Sequence, residues 1–326
     1  MGFRGVGPLR GDKVAKGGWT AARVAEVLSS GRAAIKGRDA RVALHVRVDP
    51  TCPHSLACAV RDALVPERPG GVVEVCSLAS EPGSGAEPVD AALVLVGVDA
   101  AAAVGVAASY ARSGVNVAFV VEGALDAPEV ELPEQAAALV GVVAASSAEA
   151  LPDRLAAWLA RVCAHPLALA ANFPACRRAV VDALVARCAV ENAAVGAISL
   201  IPGSDLPIMC ANQAKLALDV AAAYGRGVDA SRAAELAGVL AGGLTWRALA
   251  RALVGALPGV GGLVKAGVGF GGTMAVGQAL RLRFEAEDAL AGRDAHEGAT
   301  GEAAPVLLAT AEDADDGYVT IEGGAA

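Results

Sequence analysis

Cys52, His54 and Cys58 fall within one short stretch, DPTCPHSLACAV, at the end of an apolar run, where open α/β sheets place their ligands. Thiolates and imidazole are zinc-ligating types, but a closed site needs a further ligand, and Pro50 and Pro53 interrupt the segment. Two thiols and one imidazole beside a strand end more often serve packing and surface. His45 lies inside a strand, His165 near a linker and His296 in the tail, so spacing suggests no Ser–His–Asp or Cys–His set. No catalytic residue, cofactor or metal is expected.

The other candidate is a carboxylate, Asp205, between two prolines in the apolar stretch ISLIPGSDLPIMCANQ. Its reading is architectural. Pro202 and Gly203 stop one helix, Asp205 or Ser204 caps the next by accepting from an orphan N–H, and Pro207 occupies the first turn, where a missing N–H costs little. Leu206, Met209, Cys210, Leu216 and Val220 then follow helical spacing. Gln213 falls on roughly the same side, a polar group that needs a partner if buried.

These residues sit on two unlike halves. From Arg41 to about Cys163 the chain alternates β-branched runs (RVALHVRV, VVEVCSL, AALVLVGV, NVAFVV, VGVVA) with helical segments, the pattern of buried strands in a mostly parallel sheet. Past Pro166 the strand signal ends, and helices are expected near 174–201, 206–224, 230–241, 245–257 and 260–290. The expected organisation is a basic arm with a short amphipathic helix (1–39), an α/β domain (40–165), an all-helical domain (166–290) and an acidic flexible tail (291–326). About nine Lys or Arg lie between Arg4 and Arg41, and roughly a dozen carboxylates follow Arg283. The tail is mostly Gly, Ala, Asp and Glu, with PVLLAT and YVTI as apolar islands.

The strand order and the phrases at strand ends resemble a small P-loop GTPase-type domain whose motifs have decayed. The resemblance implies a phosphate loop after the first strand, yet no Gly or Lys occurs from Val48 to Leu56, and Pro50 and Pro53 remove two N–H donors. SEPG (Ser80 to Gly83) stands at the D-x-x-G position. VVEGALD, ending at Asp126, stands where N-K-x-D would read guanine, with Asn and Lys both missing. In AASSAEAL, Ser147 and Ala148 are what remains of the closing Ser-Ala loop. The implied domain is GTPase-like in fold and incompetent for nucleotide.

Leu253 to Leu280 has one charge, Lys265, and nine glycines. Its length permits a membrane span, but Pro258, Gly259 and Lys265 interrupt it, and basic residues flank both ends. A buried small-residue helix, a re-entrant or peripheral membrane segment and a span all remain open. Between about Cys176 and Phe284 the chain resembles the YcjF-like family of domains of unknown function. The matching positions are Pro202, Asp205, Gln213, Tyr224, Gly225, Pro258, Gly259, Gly261, Thr273 and Gly277, whereas Lys215 and Leu216 depart from the family's pattern. The resemblance implies membrane association and linkage to GTPase domains, but no chemistry.

Composition narrows the function. Net charge is −8, 55% of residues are hydrophobic and only 3% aromatic, against a mean hydropathy of +0.49. An acidic chain with little aromatic interleaving in its basic arm is a poor nucleic-acid binder. Seven cysteines without a CxxC indicate reduced thiols, and the N-terminus has neither an apolar signal core nor, with Val6, a myristoylation pattern. The expectation is a cytoplasmic, non-catalytic adaptor or regulator that meets membrane lipid, a membrane protein or another partner protein. An atypical GTP-binding switch and a helical interaction protein without lipid contact are the alternatives.

Overall fold

The computed structural model describes residues 21–80, 88–98, 100–198, 206–227, 261–298 and 318–322. Pro202, Asp205, Pro258 and Gly259 lie outside these residues, as do the helices expected at 230–241 and 245–257 and most of the SEPG turn.

Five parallel strands form the first half: β1 (Val42–Val48), β2 (Gly71–Ser77), β3 (Ala91–Leu95), β4 (Asn116–Val121) and β5 (Val140–Ala144). Between and after them run α2 (His54–Ala63), α3 (Ala100–Arg112), the single turn α4 (Glu134–Ala137) and α5 (Leu151–Val162); α1 (Ala21–Arg38) precedes β1. This is the expected α/β layer. The central strands β3 and β4 are apolar on both faces because both faces are covered. Leu44, Val46, Leu93, Leu95 and Val120 enter the larger core, while Val94, Val117 and Phe119 meet Ala103, Ala107 and Tyr110 of α3 on the other side.

A sixth strand, β6 (Tyr318–Glu322), pairs antiparallel with β2, so the order is β5-β4-β3-β1-β2-β6. The segment expected to be flexible tail therefore contributes to the sheet through its YVTI island. The physical reason is the open edge of β2, whose unpaired N–H and C=O groups invite another strand.

The helical half comprises α6 (Pro166–Asn172), α7 (Pro174–Ile198), α8 (Leu206–Ala223) and α9 (Gly261–Gly298). α7 packs along α9, and α1 lies against α6 and α8 instead of standing free as part of an arm. The larger core runs unbroken from Leu44 and Leu93 through Leu159, Phe173 and Val185 to Phe284, so both halves share it. Their seam is tight at Gly71, where a Cβ would lie 2.9 Å from Asn172 and Pro66 side-chain atoms. Glu67 N donates across it to Asn172 O at 2.8 Å.

α9 contains the last part of the apolar stretch. Val276, Leu280 and Phe284 are buried, and a Cβ on Gly277 would collide with Val185 of α7. Small residues on this face let the two helix backbones approach closely. Among the described residues, no helix is long and apolar enough to cross a membrane.

Candidate functional site

β1 is the topological switch point: β2 lies on one side of it and β3 on the other, and ligands of such sheets bind beyond the strand ends there. Here the crevice is filled by the chain itself. Asp49, 2% exposed, follows β1 directly, and its Oδ1 accepts from Thr51 N at 2.8 Å and from Thr51 Oγ1 at 2.6 Å. Thr51 Oγ1 in turn accepts from Val98 N at 2.8 Å, beyond β3, and Cys52 N donates to Asp49 O at 2.9 Å. Gly97 completes the closure, because a Cβ there would meet Asp49 Cγ at 2.6 Å and Cys52 N at 2.7 Å.

A phosphate loop needs several free N–H groups converging on an anion. This loop presents a buried carboxylate, and the N–H groups of Thr51 and Cys52 bond within the loop. The short Asp side chain bonding the backbone two residues on is a turn device, legible in DPT at the end of an apolar run. Burial, with the nearby Asp49 charge second, also pushes the Cys52 thiol up. The ends of β4 and β5 close on themselves as well: Asp126 folds back onto Gly123, and Ser147 Oγ accepts from Ala150 N at 3.3 Å.

Of the three residues near the first strand end, the structure joins two. Cys58 Sγ lies 3.5 Å from His54 Nδ1, one turn along α2. Among the described residues, no three His, Cys, Asp or Glu side chains are grouped to hold a metal ion, and no cysteine is in a disulfide. His54 and Cys58 both line a cavity of about 350 Å3 between α2 and the β1–β2 half of the sheet.

The opposite face of β1 and β2 carries a polar cluster that sequence reading missed. Parallel register sets His45 beside Glu74 and Arg47 beside Cys76. His45 Nε2 is 3.3 Å from Glu74 Oε2, His45 Nδ1 is 2.8 Å from Tyr110 Oη, and Cys76 Sγ donates to Glu74 Oε1 at 3.3 Å. Arg47, 1% exposed, donates to the carbonyls of Ser77 and Ser80. Burial lowers the His45 pKa, opposed by Glu74 and reinforced by Arg47 and Arg41. The available signal was a charge alternation, H-x-R in β1 against E-x-C in β2, which a one-strand view reads as surface.

In the helical half, several residues of the YcjF-like resemblance fall among the described residues. Gln213 is fully buried, and Gly225, at φ +69°, ends α8 with bonds from Gly225 N to Ala222 O and from Arg226 N to Ala221 O, both 2.9 Å. Tyr224 stacks on Phe284 with ring centroids 5.3 Å apart, beneath the Arg177 guanidinium. Burial, then Glu285, pushes the Tyr224 hydroxyl well above its usual pKa. Gly261 is the first residue of α9.

Thr273 belongs to a buried polar layer that also was not foreseen. Asn192 Nδ2 donates to Thr273 Oγ1 at 2.8 Å, Asn212 Nδ2 to Asn192 Oδ1 at 2.9 Å, and Thr273 Oγ1 to Gly269 O at 2.8 Å. Asn192 lies inside a long helix, where its type alone gives no sign of burial. Compared with protein-family models, curated proteins and solved structures, the chain matches none.

Proposed function

We propose that this chain is a non-catalytic adaptor or regulator whose GTPase-like layer does not bind nucleotide and whose helical layer meets a membrane or a membrane protein. The observation that carries the first part is the Asp49–Thr51–Gly97 closure. A phosphate entering there would face a buried carboxylate and a loop whose donors are already engaged. Like charges in so dry a site repel strongly. The α/β layer then acts as a rigid platform, and its surfaces do the work.

The membrane-facing part is supported by Val190, Ile208 and Phe270, which are exposed within one turn of the Asn192–Asn212–Gly269 level of the bundle. The likeness to YcjF-like domains at the positions named above is the second support. Packing of Val276, Leu280 and Phe284 into the core favours a second reading, a helical interaction protein without lipid contact.

Calorimetric titration with GTP, GDP and ATP, each with magnesium, is expected to give no heat of binding. Micromolar, magnesium-dependent binding would overturn the reading and favour a GTP-binding switch. Flotation with anionic vesicles, alongside fractionation of cells, separates the other two: recovery with the lipid supports membrane proximity, and recovery wholly in the supernatant supports the lipid-free alternative.

A further inference from the structure

We propose that Cys58 is a self-acylating thiol, which accepts a medium-chain acyl group from a thioester donor such as an acyl-coenzyme A and buries the chain in the cavity beneath α2. The inference is independent of the adaptor reading. It rests on a thiol, a base and an apolar cavity meeting at one place.

The cavity is a half-open cleft of about 350 Å3, with Val46 and Val48 of β1, Val73 and Val75 of β2 and Val60 and Leu64 at the α2 side. The one residue with a formal charge on its lining is Arg61, 64% exposed at the rim side of α2 and paired with Asp62 at 2.8 Å. At about 30 Å3 for a water-sized group, the cleft has room for roughly ten methylenes. At its mouth Cys58, half-buried, has its Sγ 3.5 Å from His54 Nδ1 and 3.8 Å from Nε2, so either nitrogen is close enough to take the thiol proton. His54 is exposed, which leaves the mouth open to a donor arriving from solvent. An acyl thioester has the matching shape: an electrophilic carbonyl at one end and an apolar chain behind it.

The step balances without any further reagent. His54 takes the Cys58 proton, Sγ attacks the thioester carbonyl, and the tetrahedral intermediate collapses with cleavage of the donor's carbon–sulfur bond. The departing thiolate takes the proton from His54. One thioester forms as one breaks, with no net redox change. Competing thiols are poorly placed, since burial pushes Cys76 up to about 11 and Cys163 and Cys176 up to about 12. Cys188 is buried, and Cys52 and Cys210 serve as internal controls.

The test incubates the full chain with decanoyl-coenzyme A and follows intact mass and peptide mapping. The expected result is one decanoyl group per chain on the Cys58 peptide, removed by neutral hydroxylamine and absent in Cys58→Ser. His54→Gln is expected to slow the reaction by about 100-fold, the lower end of what a positioned base contributes. Val75→Trp and Ala57→Phe fill the cavity from the sheet and from the helix, and loss of acylation in whichever keeps the wild-type melting curve supports the proposal. Three results would overturn it: no adduct, equal labelling of Cys52 or Cys210 that ignores the filled cavity, or decanoate bound reversibly with no thioester formed.

Discussion

Arg177 Nη2 lies 2.5 Å from Glu67 Oε2, across the seam between α7 and the turn that leads into β2. The same guanidinium reaches Asp288 Oδ2 at 3.2 Å and Ala170 O at 3.3 Å, and lies over the Tyr224 ring. It thus ties both halves of the chain at one point.

The two ends of that pair are unequal. Arg177 is 15% exposed and Glu67 52%. Arg177→Ala leaves Asp288 to Arg226 alone, removes the bond to Ala170 O and uncovers Tyr224, and is expected to cost about 1–3 kcal/mol. Glu67→Gln removes only a solvated partner and is expected to cost under about 1 kcal/mol. Urea denaturation of both variants checks the asymmetry.

Gly277 sets how closely α9 approaches α7. Gly277→Ala adds a methyl into Val185 and is expected to destabilise by about 1–3 kcal/mol, although alanine is the better helix former by about 1 kcal/mol. Adding Val185→Ala is expected to recover part of the loss, and a double-mutant cycle on melting data measures that coupling.

Asn192, fully buried, bonds to α8 and to α9 at once. Asn192→Ala leaves the Asn212 amide without this acceptor and is expected to cost about 1–3 kcal/mol. Combined with Thr273→Val the losses are expected to fall short of their sum, because both variants break one bond. Chemical denaturation of the three variants reads the shortfall.

His45 makes stability depend on pH. Its folded pKa is lowered, first by burial, against the partly compensating Glu74 charge. The unfolded chain therefore binds the proton more readily, and the contribution is fully present above about 6.5 and lost as pH falls below it toward the folded pKa. His45→Gln is expected to flatten the fall in melting temperature over that acidic window. An unchanged slope would show that other groups govern it.

The edge strand and the helix ends show how far local signals reach. Continuous β-branched runs announced all five parallel strands, since strands that bury at least one face, and in β3 and β4 both, are rich in such residues. α8 begins at Leu206, with Pro207 in its first turn, and ends one residue before Tyr224, as the proline and glycine positions require. YVTI had the composition of a strand, but whether it pairs depends on an open edge far away in sequence. The Asp49–Thr51 turn could be read locally, whereas its seal against Gly97 needed the neighbouring strand.

By itself, the sequence determined the layer architecture and showed that the first strand is followed by prolines in place of the glycines and lysine of a phosphate loop, because periodicity and local residue type act within a few residues. Only the tertiary structure decided that the two halves share one core, that His54 and Cys58 meet at an apolar cavity, and that His45, Glu74 and Tyr110 form one cluster. Those outcomes depend on strand register and on contacts between residues distant in the chain. Such contacts are fixed by packing and burial, which no single segment carries.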